Sequence, residues 1–171
     1  MQSIITRHSA IVAIALVVGM AVSPVGLAQA PGDAAATVTK FIDAINKGDM
    51  KGAAATHVTD GASIIDEFPP HMWTGAKALE SWSADFDKNA AATGVTDPLV
   101  KIGKPTRNVL SGESAYVIVP ARYMYKEHGK PMAEDGQMTF ALRHGADGWK
   151  INAWTWSGPN PHAVVAKKKI P

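Results

Sequence analysis

The feature that most constrains this chain is a run of long β-forming stretches in its last third. They are rich in Val, Ile, Tyr, Thr and Trp, are separated by short turn sequences, and span residues 114–126, 132–144 and 148–157. Ahead of them we predict three helices and one isolated acidic strand, at residues 35–47, 50–58, 76–91 and 62–66. Helices followed by a strand meander predict the α+β class. Three N-terminal helices would pack on one face of a strongly curved antiparallel sheet that forms a cone-shaped half-barrel.

The first 30 residues carry the pattern of a secretory signal peptide. Arg7 precedes an uninterrupted apolar run over residues 10–22, and small residues follow as far as Ala30. The apolar run is shorter than the ~20 residues that cross a bilayer. We therefore expect cleavage after Ala28 or Ala30, with an uncleaved anchor as the alternative. This predicts a periplasmic or secreted protein without membrane contact after cleavage.

Charge and cysteine content exclude several classes of function. Residues 1–30 hold one of the 17 basic side chains and none of the 15 acidic ones, so the remaining chain is close to neutral and gives no electrostatic reason to expect nucleic acid. The absence of cysteine excludes disulfides, thiolate nucleophiles and cysteine-bound metals. A lysine cluster at 167–169 lies in a segment, 159–171, that we predict to be a flexible basic tail.

The part between leader and tail, residues 31–158, is predicted to be a single domain. Its first helix has the i, i+3, i+4, i+7 apolar stripe of an amphipathic helix, made by Val38, Phe41, Ile42 and Ile45. The Pro-rich segment 67–75 is excluded from being a central strand. A strand over 99–110 is expected to be bent or at an edge because of Gly103 and Pro105, and Pro120 predicts a bulge in the next strand.

The order of these elements resembles the nuclear transport factor 2-like superfamily, which includes SnoaL-like polyketide cyclases and ketosteroid isomerases and has a cystatin-like cone fold. The resemblance is carried by short motifs: FIDAINKGD at 41–49, DGASIID at 60–66, WTG at 73–75 and DGWKI at 147–151. It implies a pocket inside the cone. It does not imply one activity, because this fold hosts enzymes, carriers and scaffolds.

Asp66 is the first candidate catalytic residue. In the isomerases and cyclases of the superfamily an acidic residue at the end of this strand faces the cavity and moves protons, and Asp66 matches that position. A desolvated carboxylate has a raised pKa that suits acid–base catalysis near neutral pH, whereas a solvated strand-end Asp would do nothing. His71 is a tentative partner of Asp66, with simple exposure as its alternative.

The resemblance also implies that the isomerase machinery is incomplete. The position of the isomerase tyrosine is occupied by Phe41, and the position of its protonated acid falls near Met138 or Thr139. Glu134 and Asp135 are acidic, but they belong to the start of the strand.

Period-two alternation along the strands predicts which other side chains face the pocket. One further tryptophan precedes the third helix and one lies within it. The candidate ligand-binding residues are therefore Trp73, Trp82, Tyr123, Tyr125, Gln137, Thr139, Asn152, Trp154 and Trp156. Several aromatic rings with a few polar donors suit a small apolar ligand. Core or dimer packing is the alternative for the tryptophans.

No cofactor or metal is expected. The histidines are scattered and form no metal-ligating pair, and neither a nucleophile elbow nor a phosphate-binding glycine loop is present. Three hypotheses remain: an exported domain that binds a small apolar or aromatic ligand, an acid–base isomerase, cyclase or hydratase that uses Asp66, and a non-catalytic interaction module. In each case we expect a homodimer formed through the sheet. The sequence does not identify the ligand or the reaction.

Overall fold

The computed structural model describes residues 33–164, so the predicted signal peptide at 1–30 and the last seven residues of the predicted tail lie outside the described residues. The helices are α1 Ala34–Asn46, α2 Met50–Ala55 and α3 Ala78–Thr93. The strands are β1 Ala62–Ile65, β2 Met72–Gly75, β3 Val95–Ile102, β4 Arg107–Ser111, β5 Ser114–Glu127, β6 Lys130–Gly145, β7 Gly148–Ser157 and β8 His162–Ala163. None of the helices in this part of the chain is long and apolar enough to cross a membrane.

The helices begin and end where local chemistry requires it. The side chain of Asp33 caps α1 by accepting a hydrogen bond from the backbone N–H of Ala35 at 3.0 Å. Asp49 caps α2 in the same way by accepting from Gly52 N at 2.8 Å. Gly94 ends α3 with φ 71°, a left-handed conformation that glycine adopts without strain.

The sheet has the order β2-β1-β7-β6-β5-β3, and β4 and β8 pair with the free lengths of β5 and β6. Every pair is antiparallel except β1 and β7, which are parallel. The sheet is strongly curved but does not close, and the three helices cover its inner face. The predicted α+β half-barrel is therefore confirmed, with one parallel pair added.

The strand expected over residues 99–110 is two strands, β3 and β4, which lie end to end along β5. Between them the chain bends outward from Gly103, whose N–H donates to the carbonyl of Pro120, to Thr106, whose N–H donates to Ile118, both at 2.9 Å. β5 and β6 stay in register through this point. The bulge predicted in β5 at Pro120 is therefore wrong: the interruption lies in the segment between β3 and β4, on the side of β5 where residue 120 supplies only its carbonyl.

Two segments expected to be irregular contribute short strands. Within the Pro-rich segment, Met72–Gly75 pairs with β1 and forms an edge of the sheet, which agrees with its exclusion from the centre. Beyond residue 158, His162–Ala163 pairs with β6 next to Met132 and Ala133. The ordered chain therefore continues past the predicted domain boundary.

One half of the interior is filled with side chains, and we call it the packed half. The ring of Phe41 on α1 lies against Phe140 at 6.3 Å and against His57 at 4.9 Å between ring centroids. Phe41, Phe140 and Ile151 are fully buried, and His57 is buried among them. Burial lowers the pKa of His57, so the imidazole is neutral, and its Nδ1 lies 3.0 Å from the carbonyl oxygen of Ala53.

Candidate functional site

The other half of the interior encloses a cavity of about 500 Å³. It lies between α3, β3 and the inner faces of β5, β6 and β7. Seven aromatic side chains line it: Phe68, Trp82, Phe86, Tyr123, Tyr125, Trp154 and Trp156. A concave apolar site of this size, with a few polar groups, is typical of a small-molecule pocket.

The aromatic lining follows from helix and strand periodicity. Trp82 and Phe86 are four residues apart on α3, so they share a helix face, and their rings stack with centroids 5.8 Å apart. Tyr123 and Tyr125 are two residues apart on β5 and stack at 4.7 Å. Trp156 on β7 meets Tyr123 edge to face at 6.4 Å. The rings form walls at different angles around one space.

Asp66 follows β1 directly and presents its carboxylate to the cavity. One oxygen accepts a hydrogen bond from Trp82 Nε1 at 2.9 Å, and the other accepts one from the backbone N–H of Glu67 at 2.8 Å. Burial raises the pKa of Asp66, these two donors oppose the rise, and the charge of Glu134 adds to it. The carboxylate is thus held in position and made more basic than an exposed Asp.

Two further carboxyl groups face each other beside Asp66. Glu134 on β6 is only 1% exposed, and its Oε1 accepts from Trp156 Nε1 at 2.8 Å. When it is protonated, the carboxyl of Glu67 is placed to donate a hydrogen bond to that of Glu134. Burial, this hydrogen bond and the neighbouring negative charges together raise the pKa of Glu67 to about 8. The pair therefore holds a proton at neutral pH that can be donated or withdrawn.

Glycine permits the close approach that buries Glu134. The chain beyond β7 crosses over β6, so a Cβ on Gly136 would lie 2.6 Å from the carbonyl oxygen of Ser157. A Cβ on Gly158 would collide with Oε1 of Glu134 and would lie 3.1 Å from Trp156 Nε1. Side chains at these two positions would displace the Trp156–Glu134 hydrogen bond.

The two tyrosines supply neutral hydroxyl groups. Burial, the adjacent Tyr125 and the three nearby carboxyl groups raise the pKa of Tyr123. Burial and the charges of Glu127, Glu134 and Glu67 raise that of Tyr125. Both phenols therefore stay protonated through the physiological range and can donate hydrogen bonds to a bound molecule.

The structure brings six of the predicted site residues together around the cavity: Asp66, Trp82, Tyr123, Tyr125, Trp154 and Trp156. His71 is not among them. It is exposed, and its Nδ1 lies 3.3 Å from the backbone carbonyl oxygen of Asp66, so the ring contacts the backbone of Asp66 and not its carboxylate. Trp73 is buried beside the cavity but does not line it, because its ring packs on Phe68 and its Nε1 donates to Asp85 at 3.0 Å.

Three predicted pocket residues lie outside the cavity. On β6 the side chains that face inward are Met138 and Phe140, so Gln137 and Thr139 point to the outer face. On β7 the pairing with β6 shifts by one residue at Asn152, which is exposed. Ile151 before the shift and Trp154 after it are both buried on the inner face. Because side chains do not alternate strictly across a bulge, the prediction that Asn152 faces the pocket is wrong.

Sequence reasoning missed Glu67 and Glu134. The alternation of Met138, Phe140 and Leu142 could have identified Glu134, because the same period places residue 134 on the inner face of β6. Glu67 gives no such signal, since its direction depends on the loop after β1. Within residues 33–164, no three His, Asp or Glu side chains are arranged to hold a metal ion.

Comparison with known proteins supports the fold independently. A model of the protein family described as SnoaL-like domain matches residues 34–161, well over half of the chain. No curated protein sequence matches this chain.

Several solved structures share the architecture at low identity. A ketosteroid isomerase-like protein from Erwinia carotovora atroseptica is 21% identical with a TM-score of 0.56, and the match covers 74% of this chain and 93% of that one. A hexachlorocyclohexane dehydrochlorinase is 11% identical with a TM-score of 0.62, covering 80% and 93%. A nuclear transport factor 2-like superfamily protein from Salmonella enterica serovar Typhimurium is 16% identical with a TM-score of 0.60, covering 79% and 90%. At these identities the likeness shows the fold alone.

Proposed function

The chain belongs to the family of SnoaL-like domains, and from this premise we propose that it binds a small apolar or aromatic molecule in its cavity. One observation carries the proposal: about 500 Å³ of space is lined by seven aromatic rings and lies next to three carboxyl groups, of which that of Glu134 is buried. A domain that served only as an interaction module would gain stability by filling this space with side chains. The cavity therefore favours ligand binding over the interaction-module hypothesis.

Native mass spectrometry of the protein purified from its host tests the proposal. We expect a co-purified small molecule that shifts the mass of the folded protein. Ala90 on α3 lines the cavity, so Ala90→Phe should fill it and remove the mass shift. Ala91 is exposed on the same helix, so Ala91→Phe should keep it. An unshifted mass, together with no binding of aromatic probes, would contradict the proposal.

A second candidate function, acid–base catalysis, is favoured by the carboxyl groups. Asp66 would accept a proton from the ligand, and the protonated Glu67–Glu134 pair or the Tyr123 hydroxyl would donate one to an oxygen of the ligand. These donors differ in position from those that the isomerase resemblance implies. Among structures with this fold, one is described as ketosteroid isomerase-like and one as a dehydrochlorinase. The proposed reaction class is therefore proton transfer that leads to isomerisation or elimination.

Carbon–deuterium exchange of the bound ligand, followed by NMR, tests this chemistry without knowledge of the product. Asp66→Asn keeps an acceptor for Trp82 but removes the base, so exchange should slow by about 10²–10⁴-fold while the ligand stays bound. Asp87 lines the same cavity without contacting Trp82, and Asp87→Asn should change exchange by less than about tenfold. Equal exchange rates in wild type and Asp66→Asn would contradict catalysis by Asp66 and would support ligand binding alone.

We also propose export through the signal sequence and a homodimer formed through the outer face of the sheet. On that face Tyr116 is 44% exposed and Val109, its cross-strand neighbour, is 42% exposed. Burial of such apolar surface against a second copy is favourable. Light scattering at micromolar concentration should give a dimer mass that Tyr116→Glu reduces to monomer. A monomer for the unaltered protein would refute the dimer.

A further inference from the structure

We propose that the ligand of this cavity is an organic cation, a protonated amine or quaternary ammonium group on an apolar body. The inference rests on the proposed ligand-binding function and specifies the charge of the molecule that is bound. It follows from the side chains that surround the space, of which seven are aromatic and four are acidic.

The ionisable side chains that line the cavity, apart from the two tyrosines, are all acidic. They are Asp66, Glu67, Asp87 and Glu127, and no Lys, Arg or His from residues 33–164 is among the lining side chains. The ion pairs found in the described part of the chain use other carboxylates, namely Asp60, Asp85, Asp97 and Asp135. The negative charge of the cavity therefore has no cationic partner among residues 33–164.

Glu134 is an independent observation that points to a ligand. It is 1% exposed and lies between Trp156 and Glu67, both of which line the cavity. Apart from the proton that Glu67 can share with it, no N–H or hydroxyl donor of residues 33–164 reaches its Oε2. With one shared proton the Glu67–Glu134 pair keeps one negative charge, and a charge buried this deeply without a cation opposes folding unless something compensates it. A cation bound next to the Glu67–Glu134 pair would supply that compensation.

The aromatic walls suit the same occupant. Tyr123 and Tyr125 present stacked rings, and Trp156 stands nearly perpendicular to Tyr123 at 6.4 Å. The faces of indole and phenol rings carry negative electrostatic potential and attract cations within about 6 Å. Carboxylates beside aromatic faces thus attract a cationic head while the rest of the cavity accepts its apolar body. The same groups repel an anion, so the cavity selects against organic anions such as carboxylates.

The charge is carried by an organic group in preference to a metal ion. The described carboxyls are not arranged in any group of three that could hold a metal. Most of the remaining lining is carbon, which supplies no ligands to a hard cation. A bulky, weakly hydrated ammonium group requires no such coordination.

An isosteric pair of probes tests the charge directly. Trimethylphenylammonium and tert-butylbenzene have nearly the same shape and differ in one positive charge. Quenching of the fluorescence of the cavity tryptophans by each compound gives two dissociation constants. We expect the cation to bind at least tenfold more tightly than the neutral compound.

The possible outcomes distinguish the cation inference from the proposal that the cavity binds a small molecule. Equal binding of both probes, or tighter binding of tert-butylbenzene, would overturn the cation inference and leave ligand binding intact. If neither probe binds and no molecule co-purifies, both proposals fail.

Charge-removing variants test where the preference originates. Glu127 and Asp87 both line the cavity. Glu127→Gln and Asp87→Asn, measured separately so that loss of folding in one does not affect the other, should each lower the preference for the cation about threefold or more. Asp43 is exposed on α1 away from the cavity, so Asp43→Asn removes one charge and should leave the preference unchanged. A preference that all three variants lower equally would reflect net charge alone and would overturn the inference.

Discussion

The packed half and the cavity half of this domain lie under the same sheet but bury different chemistry. The packed half buries Phe41, Phe140 and Ile151 around one neutral imidazole, that of His57. The cavity half buries Glu134, keeps Asp66 partly buried and leaves space between them unfilled. The packed half stabilises the fold. The cavity half opposes folding and is tolerated because the packed half supplies the stability. Such a difference within one interior is typical of a scaffold that supports a functional site.

The largest expected difference between the two halves is in the effect of removing an aromatic ring. Phe140→Ala should lower the free energy of unfolding by about 3–5 kcal/mol, because the ring is fully enclosed and leaves a new void. Phe86 borders the cavity and is only half-buried, so Phe86→Ala should cost about 1–2 kcal/mol. Urea unfolding of both variants measures this. Equal losses would mean that the two halves are equally well packed.

The next effect concerns the corner that holds Glu134. Gly158→Ala should lower the free energy of unfolding by about 1–3 kcal/mol, because the added methyl group collides with the Glu134 carboxyl. The near-ultraviolet circular dichroism of Trp156 should change with it. A Cβ on Gly145 meets nothing within 4 Å, so Gly145→Ala is a matched control that should stay within about 0.5 kcal/mol of wild type. If the two variants behave alike, the corner is not tightly packed.

In acid, the packed half should determine the stability. Below the ordinary pKa of 6.5 the unfolded chain binds a proton at His57 that the folded state resists, so the free energy of unfolding falls as pH falls. The slope from this one group is at most about 1.4 kcal/mol per pH unit. His57→Asn should remove that part of the slope between pH 7 and 5.5 in urea unfolding. An unchanged slope would show that His57 is protonated in the fold.

As pH rises from about 4.5 to about 8, the cavity half should lower the stability. The folded state holds a proton on Glu67 up to about pH 8, whereas the unfolded chain releases it near pH 4.5, so stability falls as pH rises between these values. Glu67→Gln removes this loss. It should raise the melting temperature by roughly 2–4 °C at pH 8, after allowance for solvent screening, and by little at pH 5.

Glu127→Gln is the matched control for this pH-dependent change in melting temperature. It removes a charge from the same cavity without any contact to Glu134, and its effect should not change between the two pH values. A constant effect of Glu67→Gln across pH would contradict a shared proton.

The fold was predictable from the sequence because most of its determinants are local. The stripe of Val38, Phe41 and Ile42 identifies α1, and Gly94 identifies the end of α3, each within a few residues of the observed boundary. The long strands follow from their β-forming side chains and turns. Asp66 could be placed at the cavity because it ends a short strand in a recognisable order of elements.

The site was predictable only in part because its remaining determinants are not local. The proton shared by Glu67 and Glu134 depends on a contact between distant parts of the chain. The position of Asn152 depends on a one-residue shift that the strand composition does not reveal. His71 was expected near Asp66 because of its short separation in sequence, but the loop directs it to the backbone side. Proximity along the chain does not determine the direction of a side chain in a loop.

The parallel pairing of β1 with β7 has a consequence for the order of folding. Ile64 lies beside Trp154, so the strand that positions Asp66 is held by a segment that is synthesised about 90 residues later. Closing so long a loop is slow relative to forming helices and hairpins. A nascent chain can therefore assemble its helices and the first hairpins of the meander before the wall that carries Asp66 is in place. The ability to bind a ligand would then arise in one late event, when the final long strand docks.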